Sequence, residues 1–271
     1  TSAHLFNTQG INLLINLFFG PILNTARAIS VQVYNAVNSF SLNFMMATRP
    51  QIVKSYAQED YKYVHQLIFS STKFSFILLF FLSLPILLHT EYVLTLWLKQ
   101  VPEYTSLFVQ LTLIALFVSC TFSPMASLSQ ASGKIRNYQL IISIVFLLIF
   151  CFTWISYRLG YPVYWAFVLS IIFNLLGLFA RIFELKCSQS FPAWRYVRQV
   201  FLPILLCFLI ILLVAQCIKS FLQLEDSILM LLYCTLLYWV SGACIVWILM
   251  LNSNEKNMIK GILRKIFCML K

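Results

Sequence analysis

Side-chain amides and arginines are the residues of this sequence whose types and spacing suit chemistry. Gln9, Asn12 and Asn16 recur with Gly20. On a helix they fall within an arc of about 80°. Gln32, Asn35, Ser39 and Asn43 repeat the pattern, and Ser170, Asn174, Gly177, Arg181 and Glu184 form a third stripe. Amides offer donors and acceptors to hydroxyl groups. Arg27 and Arg49 add guanidinium forks that match phosphate or carboxylate. The chemistry is recognition of a polar, anionic solute. It is not bond-making: His4, His65 and His89 stand far apart, with no acid or cysteine at triad or metal spacing. No catalytic residue, metal or cofactor is expected, and the chain does not read as an enzyme.

These residues lie in an unusually apolar chain. Of 271 residues, 61% are hydrophobic and 10% charged. Mean hydropathy is +0.87. Soluble domains carry about 25% charged residues, so a soluble enzyme and a disordered chain are both excluded. The reading is an all-α, polytopic integral membrane helix bundle. Eight segments of about 20 residues can span a bilayer: 4–23, 28–48, 73–90, 105–129, 138–157, 162–182, 200–219 and 228–250. The first two, which carry the amide stripes, are much more polar than the rest.

Charge tests this division. Fifteen of the 19 Lys and Arg fall in the connections after spans two, four and six and in the C-terminal tail; four, Arg27, Lys99, Arg158 and Lys219, fall in the opposite set. By the positive-inside rule the first set is cytoplasmic, with both ends of the chain. The net charge of +11 is therefore a topology signal, and nucleic acid is not an expected partner. The partner is the lipid bilayer.

The connections carry further expectations. Thr48-Arg49-Pro50 is expected to end span two and open a new helix, with Pro in its first turn. The stretch from Gln51 to Lys73 is amphipathic, and Ile52, Val53, Tyr56, Val64, Leu67 and Ile68 can face lipid. The tail 251–271 reads as a basic amphipathic helix on an anionic leaflet, with Lys256, Lys260 and Arg264 spaced at i+4. The eight cysteines form no C-x-x-C pair and read as small hydrophobes.

Two roles remain open for the stripes. Amides can hydrogen-bond between helices, with small residues allowing close approach. Alternatively they line a hydrated pathway, which two consecutive matched stripes favour. Arg181 and Glu184, at i and i+3, could simply pair. Arg27 and Arg49 could be ordinary interfacial anchors. All eight acids lie in connections or at span ends, so the spans carry no mid-membrane carboxylate of the kind used in proton or sodium relays.

Local motifs add a resemblance. Asn7-Thr-Gln-Gly-Ile-Asn12, Asn16-Leu-Phe-Phe-Gly-Pro21 and Asn24-Thr-Ala-Arg-Ala-Ile29 resemble the seventh helix, and the turn into the eighth, of bacterial polysaccharide and O-antigen (Wzx-type) flippases. Arg49-Pro-Gln-Ile-Val-Lys-Ser-Tyr-Ala57 resembles the motif closing their eighth helix. Lys73-Phe-Ser-Phe76, Leu84-Pro85, Glu91 with Leu96-Trp-Leu98, and Ala131-Ser-Gly-Lys-Ile135 are similar to later motifs. The group belongs to the multidrug/oligosaccharidyl-lipid/polysaccharide exporter superfamily.

The resemblance implies a two-lobe transporter of about fourteen helices. Residues 1–183 would be its six-helix C-terminal lobe, 184–250 two additional helices, and the N-terminal lobe a missing partner. The chain alone is then expected not to transport. The implied activity is movement of undecaprenyl-pyrophosphate-linked oligosaccharide across the bacterial cytoplasmic membrane by alternating access. Glycan polymerase and glycosyltransferases are the implied neighbours. Substrate-contact candidates are Arg27, Arg49, Gln9, Asn12, Asn16, Gln32, Asn35, Asn43, Asn174 and Arg181, with Lys54 weaker. Two other functions compete: a cation-coupled multidrug antiporter, and a non-transporting scaffold for glycan assembly.

Overall fold

The computed structural model describes residues 2–222, 228–253, 255–257 and 260–261. The amphipathic tail expected over 251–271, including Arg264, lies largely outside them. So do the side chains of His4, Cys217, Lys219 and Cys268. Every regular element among the described residues is helical. In a bilayer only helices and closed barrels satisfy all backbone polar groups, and this sequence has helix-length apolar runs.

The first compact unit, Thr1–Ala193, holds seven helices. They are α1 (Ser2–Phe19), α2 (Pro21–Ala57), α3 (Tyr61–Leu88), α4 (Thr90–Leu98), α5 (Thr105–Ala131), α6 (Ile135–Arg158) and α7 (Trp165–Gln189). The limit expected after residue 183 falls inside α7. The second unit, Trp194–Lys271, contains a π-helical stretch (Val197–Phe201), α9 (Leu202–Leu222) and α10 (Ile228–Leu249); the short α8 (Ala193–Tyr196) leads into it. Pro203 has no N–H for the carbonyl four residues back, which accounts for the widened turn before it. Val200, Ile204, Cys207, Ile211 and Ala215 form the buried stripe of that helix.

Among the described residues, six helices are long and apolar enough to cross a membrane. They correspond to the expected spans three to eight. The amides of α1 and α2 keep those two helices below that apolarity.

Two local expectations are corrected. Pro50 does not break the chain: α2 runs unbroken for 37 residues, about 55 Å at helical rise. Pro50 and Met46, whose carbonyl loses its donor, both lie on the exposed side, so the ring displaces no packed neighbour. The break comes instead at Gln58–Asp60, where Glu59 takes φ 60° and the Asp60 side chain accepts from Tyr63 N at 3.0 Å. Nor do Ile52, Val64 and Ile68 face lipid, since all three are fully buried. These three pack inward because α2 and α3 form a hairpin against α5, while Val53 stays exposed.

Two glycines set the helix geometry. Gly20 takes φ 86° between α1 and α2, a left-handed value, and Pro21 opens α2. Gly177 lets α7 approach α6: a Cβ there would stand 2.8 Å from Val145 Cγ2. Around the elbow, Ile11, Leu14, Ile15, Ala26, Phe108 and Ile149 form a buried core. Phe19 packs edge-on to Tyr157 at 4.8 Å, and the Tyr157 hydroxyl donates to Val163 O at 2.7 Å. At the other end, Lys134 Nζ donates to Ser188 O at 3.0 Å and Gln189 Nε2 to Ser132 Oγ at 2.8 Å. The α5–α6 turn and the end of α7 therefore share one side.

Candidate substrate cavity

Beside the elbow core, α1, α2, α5, α6 and α7 leave a cavity of about 300 Å³. Its wall combines Asn7, Thr8, Arg27, Tyr34, Asn35, Thr112, Ser119, Ser170 and Asn174 with apolar Ile11, Val31, Ala115, Phe122, Phe146 and Phe167. Among these lining residues Arg27 is the only one with a formal charge, and none is acidic.

Arg27 is not an interfacial anchor. It is 7% exposed, held by the packing of Ala26 and Ile29 on the same buried side of α2. Nη2 donates to Thr8 O at 3.3 Å. Thr8 lies eleven residues before the end of α1, about 16 Å from the elbow, so the guanidinium sits deep in the bundle. Its carbon lies 6.0 Å from the Phe167 ring centre, and Nη1 is buried without a hydrogen-bond partner. Guanidinium does not deprotonate in proteins. The cavity therefore holds a cation with no carboxylate in its wall and a free donor.

Other polar atoms are similarly underused. Asn7 Oδ1 and Thr112 Oγ1 are buried without partners. Asn174 Nδ2 donates to Ser170 O at 2.7 Å, and Ser170 Oγ to Ala166 O at 2.9 Å. Both bonds run along α7 and leave further amide capacity for a guest. Ser119 Oγ donates to Leu116 O at 2.8 Å, along α5. Together the wall can neutralise one anionic group and hydrogen-bond hydroxyls.

Of the predicted contact residues, the cavity brings together Arg27, Asn35 and Asn174. Gln9, Asn16, Gln32 and Asn43 are exposed on the outer side of α1 and α2, and Asn12 is half-buried outside the cavity wall. Arg49 is exposed, 22 residues beyond Arg27, or about 33 Å along the axis. Lys54 is exposed near the end of α2. Arg181 is buried outside the wall, behind Phe122. It does not pair with Glu184: Arg181 Nε and Nη1 and Glu184 Oε2 have no partner.

Asn7, Thr8, Tyr34, Thr112 and Ser119 escaped the sequence reading. On α2 the cavity face runs through Arg27, Val31 and Tyr34, and the amide stripe lies about 120° around the helix. The i, i+4, i+7 spacing from Arg27 was the available signal, masked by the apolar Val31. Comparison with protein-family profiles, curated proteins and solved structures returned no match.

Proposed function

We propose that this chain is part of a membrane transporter that moves a lipid-linked oligosaccharide with an anionic pyrophosphate across a bacterial cytoplasmic membrane. The observation that carries this reading is Arg27, a buried guanidinium with an unsatisfied Nη1 in a cavity wall that also offers amides and hydroxyls. A buried cation without a counter-charge costs several kcal/mol. An anionic cargo supplies that charge, hydroxyl-rich sugar meets the amides, and the prenyl tail stays in lipid. The motif resemblance of residues 5–140 supports the same class. No covalent step is assigned, and the reading is transport rather than catalysis.

The exposed amides on α1 and α2 support a polar neighbour on that face, consistent with the second lobe that the resemblance implies. The fifteen-to-four division of cations supports a cytoplasmic location for both termini. The cavity favours an anionic cargo over the cation-coupled antiporter, because its described lining has an arginine and no carboxylate.

The test is a strain with the gene deleted. Undecaprenyl-pyrophosphate oligosaccharide is expected to accumulate on the cytoplasmic leaflet while surface glycan is lost. The intact gene restores both, and a gene carrying Arg27→Ala does not. Unchanged lipid pools with normal surface glycan overturn the reading.

A further inference from the structure

A second buried guanidinium stands one aromatic ring away from the cavity. Arg181, on α7, is 1% exposed. Its guanidinium carbon lies 3.9 Å from the centre of the Phe122 ring, and Phe122 belongs to the cavity wall. Nε and Nη1 are buried and make no hydrogen bond. Guanidinium donors in a protein interior are normally used, because leaving them bare costs stability.

The surroundings connect this group to the cavity. Ser170 and Asn174 line the cavity, and Gly177 and Arg181 continue their stripe along α7. A Cβ at Gly177 would come within 3.7 Å of Arg181 Nη2, so this glycine leaves room beside the guanidinium. From Asn174 to Arg181 the helix rises about 10 Å. Tyr138 donates to Phe122 O at 3.3 Å and holds the α5 backbone in place, leaving the ring as the movable part of the partition. Glu184, one turn on, has Oε2 buried without a partner.

The geometry points to Arg181 as a second anion-binding station, screened from the cavity by the Phe122 ring and reached by a phosphate-type group when that ring turns aside. The inference rests on the reading of an anionic cargo and adds a route for it, from the end of α7 past Arg181 to Arg27. Ring and anion compete for one guanidinium. The cation–π contact is the weaker partner and serves as the resting one. Glu184 keeps the net local charge low, so an anion there is released rather than trapped.

Phenylglyoxal modification of arginine, read by mass spectrometry on the protein in nanodiscs with inorganic pyrophosphate as the probe, tests this. In the wild type Arg181 is expected to react slowly, and pyrophosphate to slow it further in a saturable way. Phe122→Leu, which keeps an apolar side chain, and Phe122→Ala are expected to speed the reaction, the latter by about tenfold. Glu184→Gln is expected to lower the pyrophosphate concentration needed for protection. Arg27 is read in the same samples. Protection of Arg27 without protection of Arg181 overturns the second station and leaves the cavity reading intact. Protection of Arg181 alone sustains the station and removes the cavity's cation. An Arg181 that stays unreactive in the wild type and both Phe122 variants, or that reacts without protection in all three, is a structural cation and the inference is wrong.

Discussion

Arg27 is the side chain whose replacement separates function from stability. Its guanidinium has one hydrogen bond, to Thr8 O, and no carboxylate in the wall around it. Replacing a buried ion pair by well-packed apolar side chains is often neutral or stabilising by about 1–4 kcal/mol, and a buried charge with no counter-charge has still less attraction to lose. Methionine fills the space of the arginine stem. Arg27→Met is therefore expected to hold or raise the thermal midpoint of the purified protein. Loss of a charge-assisted hydrogen bond to cargo, about 1.5–3 kcal/mol, corresponds to a fall of roughly 10–100-fold in glycan export. Arg27→Lys keeps a point charge without the fork and is expected to fall between. A purely structural arginine predicts instead that midpoint and export drop together. Arg49 offers the contrast. It is exposed and about 33 Å along α2 from Arg27, so Arg49→Ala is expected to leave pyrophosphate protection of Arg27 unchanged. Altered protection would place Arg49 in the cavity's field.

At the scale of elements, apolar length was enough to find α5, α6, α9 and α10 within a few residues, and α7 except for its last two turns. Side-chain sequence alone was a poorer guide to α2. Pro50 reads as a boundary because most interior prolines are, but an exposed helix face tolerates the ring. The inward face of Ile52, Val64 and Ile68 depends on the α2–α3 hairpin and α5, contacts distant in sequence. The cavity was half legible for a related reason. Polar stripes announce where a helix is not lipid-facing, yet they do not say whether that face is a cavity or an outer surface. Here Asn35 lies between the two, while Gln32 and Asn43 face outward. Gly177 gives a test of the packing that builds the far wall. Val145 is β-branched and stiff on its helix, so the 2.8 Å approach of a new methyl is not relieved by a rotamer change. Gly177→Ala is expected to cost about 1–3 kcal/mol by overpacking. Val145→Ala alone is expected to destabilise through a void. The double variant should recover much of the loss, a coupling measurable as a non-additive shift in thermal midpoint. Simple additivity would mean that the two side chains do not share this contact.

For the whole molecule the question is orientation. The Lys134–Ser188 and Gln189–Ser132 hydrogen bonds bring together two connections from the cation-rich set. The Phe19–Tyr157 and Tyr157–Val163 contacts bring together two from the cation-poor set. Charge count and packing thus sort the connections into the same two groups, although neither was derived from the other. Lys and Arg near membrane ends favour the cytoplasmic side, and an excess this large predicts the direction. An epitope tag inserted at Gly160, in the exposed turn between α6 and α7, is therefore expected to bind antibody on intact spheroplasts. The same tag at Glu59, in the exposed α2–α3 turn, is expected to bind only after permeabilisation. The reverse pattern would invert the orientation and place the Arg181 end of α7 outside, so that a cargo meeting Arg181 and then Arg27 would be moving inward. Binding at both sites without permeabilisation would break the alternation itself. Between Glu59 and Gly160 the chain crosses by α3, α5 and α6, an odd number of passages, so one tag on each side is the only result consistent with the packing of these helices.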